Sequence, residues 1–176
     1  MVRAGGLDAS CTTIVTAVTI PSAQSNRSRF HAALASQALL GIYLQVVEWI
    51  PLGRWNNIAN GNGQASLDIV LAAVQAVILV FYWKRWRWAM LAGLGLYALW
   101  LYLEISSWWV PYFRGASPQM MRFYEHWFAN TYKFLPPIDG HPIPDAEHSV
   151  LLALLLLVLT WSLAAIRKAF SKQAAS

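Results

Sequence analysis

One stretch limits this chain more than any other. "SVLLALLLLVLTWSLAAI", Ser149 to Ile166, is apolar almost throughout and carries no charge until Arg167. A helix needs about 20 predominantly apolar residues to cross a bilayer. Three further segments approach the same length, so the spacing predicts spans at about 31–50, 66–83, 88–110 and 148–166. The expected fold is all-α: a polytopic membrane protein whose four-transmembrane-helix bundle forms a single domain over 31–168. Composition agrees, with 57% of residues hydrophobic and 12% charged. A soluble domain carries about 25% charged residues. Prolines at Pro51 and Pro111 read as helix stops after the first and third spans.

The basic residues give an orientation. Lys84, Arg85 and Arg87 form the tight link between the second and third spans, and Arg167, Lys168 and Lys172 follow the fourth. Arg27 and Arg29 precede the first, and Arg3 lies near the start. Positive residues mark the cytoplasmic side. The expectation is an inner (plasma) membrane protein, multi-pass, with both termini cytoplasmic and residues 51–65 and 111–147 outside. Residues 1–30 read as a mobile cytoplasmic extension rather than a cleaved signal peptide, because their apolar run is short and Thr-rich. Residues 169–176 read as a cytoplasmic tail. The net charge of +5 lies beside apolar spans, so it reports topology and not nucleic-acid binding.

The long outer segment contains "SPQMMRFYEHWFANTYKF". Ser117 suits an N-cap with Pro118 at the first helical position. Met120, Tyr124, Trp127 and Phe128 follow helical spacing. An amphipathic helix over about 118–134 is expected, on the outer membrane surface or over the bundle mouth. Asp145 reads as the cap of the fourth span. The Trp108–Trp109 pair reads as an interface anchor, and Gly93 and Gly95 as sites of close helix contact.

The acidic residues are what this chain displays most pointedly. Seven of the eight Asp and Glu are assigned to the outer half, Asp8 being the exception. Glu48 closes the first span, Asp68 opens the second, and Glu104 lies about six residues inside the third, roughly 9 Å deep at 1.5 Å per residue. His148 opens the fourth. Gln37, Gly41, Gln45 and Glu48 share one helix face, as do Asp68 and Gln75, and as do Tyr97, Trp100, Glu104 and Trp108. Polar side chains in hydrocarbon turn toward the bundle interior, because lipid offers no hydrogen bonds.

The ligand-binding candidates are therefore Glu104, Glu48 and Asp68, with Gln45, Tyr97 and His148 in support. The expected function is an outward-facing acidic pocket for a small polar or cationic ligand, with binding or transport as the outcome. A membrane enzyme acting on a lipid or amphiphile through carboxylate and His chemistry is an alternative, and so is a structural or assembly subunit with a membrane-protein partner or a second copy. Enzyme status, metal and cofactor stay open. Cys11 is the single cysteine, which excludes an intramolecular disulfide, a cysteine-pair metal site and a dithiol couple. Neither a phosphate-binding loop nor a compact His-Glu-x-x-His motif is present.

Overall fold

The structure, a computed structural model, describes residues 22–56 and 65–171, and within these the side chains of 22–27, 65–68 and 168 lie outside the described set. All regular structure among the described residues is helical. In chain order the helices are α1 (Ser22–Trp49), α2 (Ala65–Lys84), α3 (Arg87–Glu104), α4 (Val110–Arg114), α5 (Pro118–Phe128) and α6 (Ala146–Ser171). A short 3₁₀ turn at Gly53–Trp55 follows α1, and a π turn at Ile105–Trp109 joins α3 to α4. Three stretches are long and apolar enough to cross a membrane: Ser28–Trp49, Arg87–Arg114 and Ala146–Ser171. The described part of α2, Ile69–Lys84, is apolar and shorter.

The four long helices pack in a ring. α6 lies against α1 and α3, and α2 closes the ring by touching the same two helices. The core holds Leu40 of α1, Ile78 and Tyr82 of α2, Met90 and Tyr97 of α3, and Leu155 and Val158 of α6. Gln37 adds a buried polar tie, its Nε2 donating to Ser162 Oγ at 3.0 Å. α6 thus packs against its neighbours along one stripe and leaves the rest of its surface exposed. Leu155, Val158, Ser162 and Ala165 fill one inward stripe, and Leu156, Leu157 and Leu163 face out. The stripe was hidden because leucine occupies both faces.

The basic end closes by stacking. α2 ends on Arg85 at φ 56°. Its N–H reaches Tyr82 O at 3.1 Å, and the Trp86 N–H reaches Phe81 O at 3.1 Å, the paired bonds of a left-handed helix cap. The Arg85 guanidinium lies 4.6 Å from the centroid of the Phe30 ring, and that of Arg87 lies 5.6 Å from the Phe170 ring.

Several boundaries differ from the sequence reading. α1 begins at Ser22, so residues 22–30 are helical, and Phe30 is core. Residues 1–21 lie outside the described set. α6 runs to Ser171, past the 166 and 169 boundaries. The outer helix stops at Phe128, not near 134. Thr131 and Lys133 turn back on its end: Thr131 Oγ1 donates to Phe128 O at 2.7 Å, and Lys133 Nζ to Phe128 O and Ala129 O at 2.6 and 2.9 Å. Pro111 does not end the third span. It has no N–H for the carbonyl four residues back, and its ring would collide with that carbonyl. The π turn widens the helix there, with the Val110 N–H on Ile105 O, and Ser106 Oγ donates to the Tyr102 and Leu103 carbonyls. The helix then continues to Arg114.

Gly93 and Gly95 separate cleanly. A Cβ on Gly93 would sit 2.9 Å from Ile78 Cγ2, while one on Gly95 meets nothing within 4 Å. Ile78 is β-branched and stiff. Gly93→Ala should therefore destabilise the α2–α3 contact by about 1–3 kcal/mol. Gly95→Ala should be neutral or stabilising by up to about 1 kcal/mol through helix propensity. Thermal melts of the two variants in one detergent check the contrast.

Candidate functional site

The end of the bundle opposite the basic link is built around Asp145. Its side chain is fully buried at 0% exposure and caps α6, the His148 N–H donating to Oδ1 at 3.0 Å. The same oxygen accepts from His148 Nδ1 at 2.8 Å. A carboxylate only accepts, so Nδ1 carries the proton and Nε2 is the nitrogen left for other chemistry. Burial pushes the Asp145 carboxyl up, but the hydrogen bonds and charge of His148 outweigh it, and the carboxyl titrates below its ordinary 3.8.

His148 is held on its other sides by aromatic rings. The Trp108 centroid is 3.8 Å from the imidazole and that of Phe128 is 5.4 Å away. Phe128 and Tyr124 of α5 also pack edge-on against Trp108, at 4.6 and 6.3 Å. α5 therefore sits on the π turn and on His148, covering the mouth. Trp108 is 6% exposed, so it is a packing residue of this site and not an anchor in the interface. The loops tie to the same region. Tyr43 OH donates to Glu147 O at 2.9 Å, the Tyr132 N–H to Arg54 O at 2.7 Å, and the Ala146 N–H to Tyr132 O at 2.8 Å.

Beside His148 lies a cavity of about 210 Å³ shared by four helices. α1 contributes Gln45 and Glu48, α2 Gln75, α3 Trp100 and Glu104, and α6 Glu147 and His148. The local sequence explains the meeting. Gln45 and Glu48 are three apart on α1, and Trp100 and Glu104 four apart on α3, so each pair shares a face. Glu104 is the last residue before the π turn, and Trp108 lies within that turn. Two of the lining side chains are buried with unmet hydrogen-bonding capacity: Glu104 Oε1 and Gln75 Nε2, on residues each 6% exposed. A buried polar atom without a partner costs about 1–3 kcal/mol. Gln75 also lies against Gly41, where a Cβ would meet its Oε1 at 3.1 Å.

Of the sequence candidates, Glu104, Glu48, Gln45 and His148 line this cavity. Tyr97 does not. It is buried deeper, 1% exposed, with no partner for its hydroxyl, so it belongs to the core below. The Asp68 side chain lies outside the described residues. Three participants were not singled out. Glu147 was assigned to the loop because the fourth helix was started one residue later. Asp145 was read only as a cap, and Gln75 only as part of a stripe. His141 pairs with the chain instead, its Nδ1 2.7 Å from Tyr112 O. Asn56, just after the 3₁₀ turn, is committed to α1, donating to Val47 O and Ile50 O at 2.7 Å each. Its neighbours 57–64 lie outside the described set. Among the described residues, no three His, Cys, Asp or Glu groups gather closely enough to hold a metal ion.

A carboxyl lowered in the folded state adds stability above its unfolded value and loses it as pH falls through the lowered native value. Asp145→Asn keeps a capping side chain but removes the charge. Wild type should therefore melt higher than Asp145→Asn at neutral pH, with the gap narrowing as pH falls below about 4. Asp145→Ala, which also removes the cap, should cost on the order of 3–5 kcal/mol. Circular-dichroism melts across that pH range check both.

No family model, no curated protein and no solved structure matches the chain.

Proposed function

We propose that the protein is a four-span inner-membrane protein, with both termini cytoplasmic, that binds a small polar or cationic ligand from the outer side. Three helices bring Glu48, Glu104, Glu147 and His148 around one cavity, a fourth adds Gln75, and this convergence carries the reading. Three carboxyls face a single imidazole whose Nδ1 is already given to Asp145. A guest with N–H donors would satisfy Glu104 Oε1, and an acceptor on the guest would satisfy Gln75 Nε2. Trp100 offers a ring face to a cation. Toward the basic end the bundle is filled by Tyr97, Tyr82, Met90, Leu155 and Val158. Binding at the outer mouth is thus better supported than passage through the bundle.

The Asp145–His148 pair supports a second reading, acid–base chemistry on a bound amphiphile. A carboxylate that holds Nδ1 orients the imidazole and leaves Nε2 to move a proton. The two readings part at His148→Gln. Only an enzyme turns over a bound amphiphile in wild type, and His148→Gln would abolish that turnover.

Binding of simple amines to protein in nanodiscs can be followed by the fluorescence of Trp100 and Trp108. Glu104→Gln should weaken it roughly tenfold or more, as expected for a charged hydrogen bond. Unchanged affinity in a folded variant removes Glu104 from the role. In a Cys11→Ser background, a membrane-impermeant maleimide added to intact cells should label Asp139→Cys and leave Trp86→Cys unlabelled. The reverse pattern overturns the orientation.

A further inference from the structure

The polar cavity adjoins a second space. Gln45, Ala72 and Gln75 line it and also line a larger hollow of about 540 Å³ between α1 and α2. The rest of that hollow is apolar, with Ala38, Ile42, Ala76 and Leu79 along it and Trp49 near its end. Along α1 it extends from Ala38 to Ile50, about 18 Å at 1.5 Å per residue. One leaflet of hydrocarbon is about 15 Å deep, half of a ~30 Å core. Gln45 and Gln75 lie partway along it, and from Gln45 inward to Ala38 it runs about 10 Å at 1.5 Å per residue, room for part of one alkyl chain within one leaflet. Gln75 lines both spaces, and its Nε2 is buried and unpartnered. Glu104 Oε1, also buried and unpartnered, stands on the polar side.

Resting on the binding reading above, we infer that the guest is a single-chain amphiphile with an ammonium head and a neighbouring acceptor oxygen. The head lies among Glu48, Glu104 and Gln75, and the alkyl chain lies in the hollow between α1 and α2. The head matches the site on three counts. The ammonium N–H groups meet Glu104 Oε1, the acceptor oxygen meets Gln75 Nε2, and positive charge faces the carboxyls. A long-chain amino alcohol has this chemistry. The head volume also fits, since 210 Å³ is about seven waters at ~30 Å³ each. The guest would enter from the outer leaflet between α1 and α2, without first leaving the bilayer.

The test uses the full chain in lipid nanodiscs and two probes. One is 2-aminododecan-1-ol carrying a diazirine at the chain end, mapped by peptide mass spectrometry after photolysis. The other is ethanolamine, the head alone, followed by tryptophan fluorescence. The expected adducts fall on residues 38–50 of α1 and 72–79 of α2, and drop at least tenfold in Glu104→Gln. Ala76→Trp, or the milder Ala38→Leu, should cut amphiphile labelling at least tenfold and leave ethanolamine binding unchanged. Adducts spread evenly over the outer faces of α3 and α6, or labelling indifferent to both hollow-filling variants, overturn the inference and identify ordinary surrounding lipid. If that happens while ethanolamine binding still depends on Glu104, the acidic site survives without its chain groove. If neither probe responds to Glu104→Gln, the binding reading falls as well.

Discussion

The mouth of this bundle depends on one contact, Asp145 Oδ1 with the backbone and imidazole of His148. It starts α6 and fixes a ring against which Trp108 and Phe128 pack. Through those rings it holds α5 in place. An exposed ion pair contributes little, about 0–1 kcal/mol. Asp145 is wholly buried, so an unpaired carboxylate there would carry the full desolvation penalty. The contact is therefore a condition for closing this end, and the neighbouring hydrogen bonds of Tyr43, Tyr132 and Ala146 build on it.

The second constraint is Pro111. A proline inside a long helix costs about 3 kcal/mol or more when the α register is kept. Here the chain widens by a π turn instead, and the turn begins directly after the most deeply placed carboxyl, Glu104. Such turns recur at functional sites, because one extra residue re-aims the side chains beyond it. The helix thereby runs on past Pro111 to Arg114.

Much of the architecture was legible because it follows periods. Apolar length marked 31–50, 88–110 and 148–166, which correspond to Ser28–Trp49, Arg87–Arg114 and Ala146–Ser171, and it marked 66–83, where the described apolar stretch Ile69–Lys84 is shorter. The three- and four-residue spacings of Gln45 with Glu48 and of Trp100 with Glu104 placed each pair on one face, and those faces meet. What failed was local. Pro111 has two outcomes, a stop or a π turn, and sequence alone does not choose between them. Glu147 was missed by one residue of helix boundary. Leucine on every face of α6 concealed which face was inward. Gly93 and Gly95 look alike in sequence, yet only the first stands opposite Ile78. Tyr97 shares the stripe of Glu104 but lies two turns deeper, where the core is closed.

The depth at which polar residues give way to packed ones sets a further property. Below Glu104 the interior is occupied by Tyr97, Tyr82 and Met90, and the basic end is sealed by rings under Arg85 and Arg87. On the binding reading proposed above, a packed floor leaves the cavity to fill and empty from its own end of the protein, so its occupancy would follow the guest on that side, in water or in the adjoining leaflet, and be blind to the gradient across the bilayer.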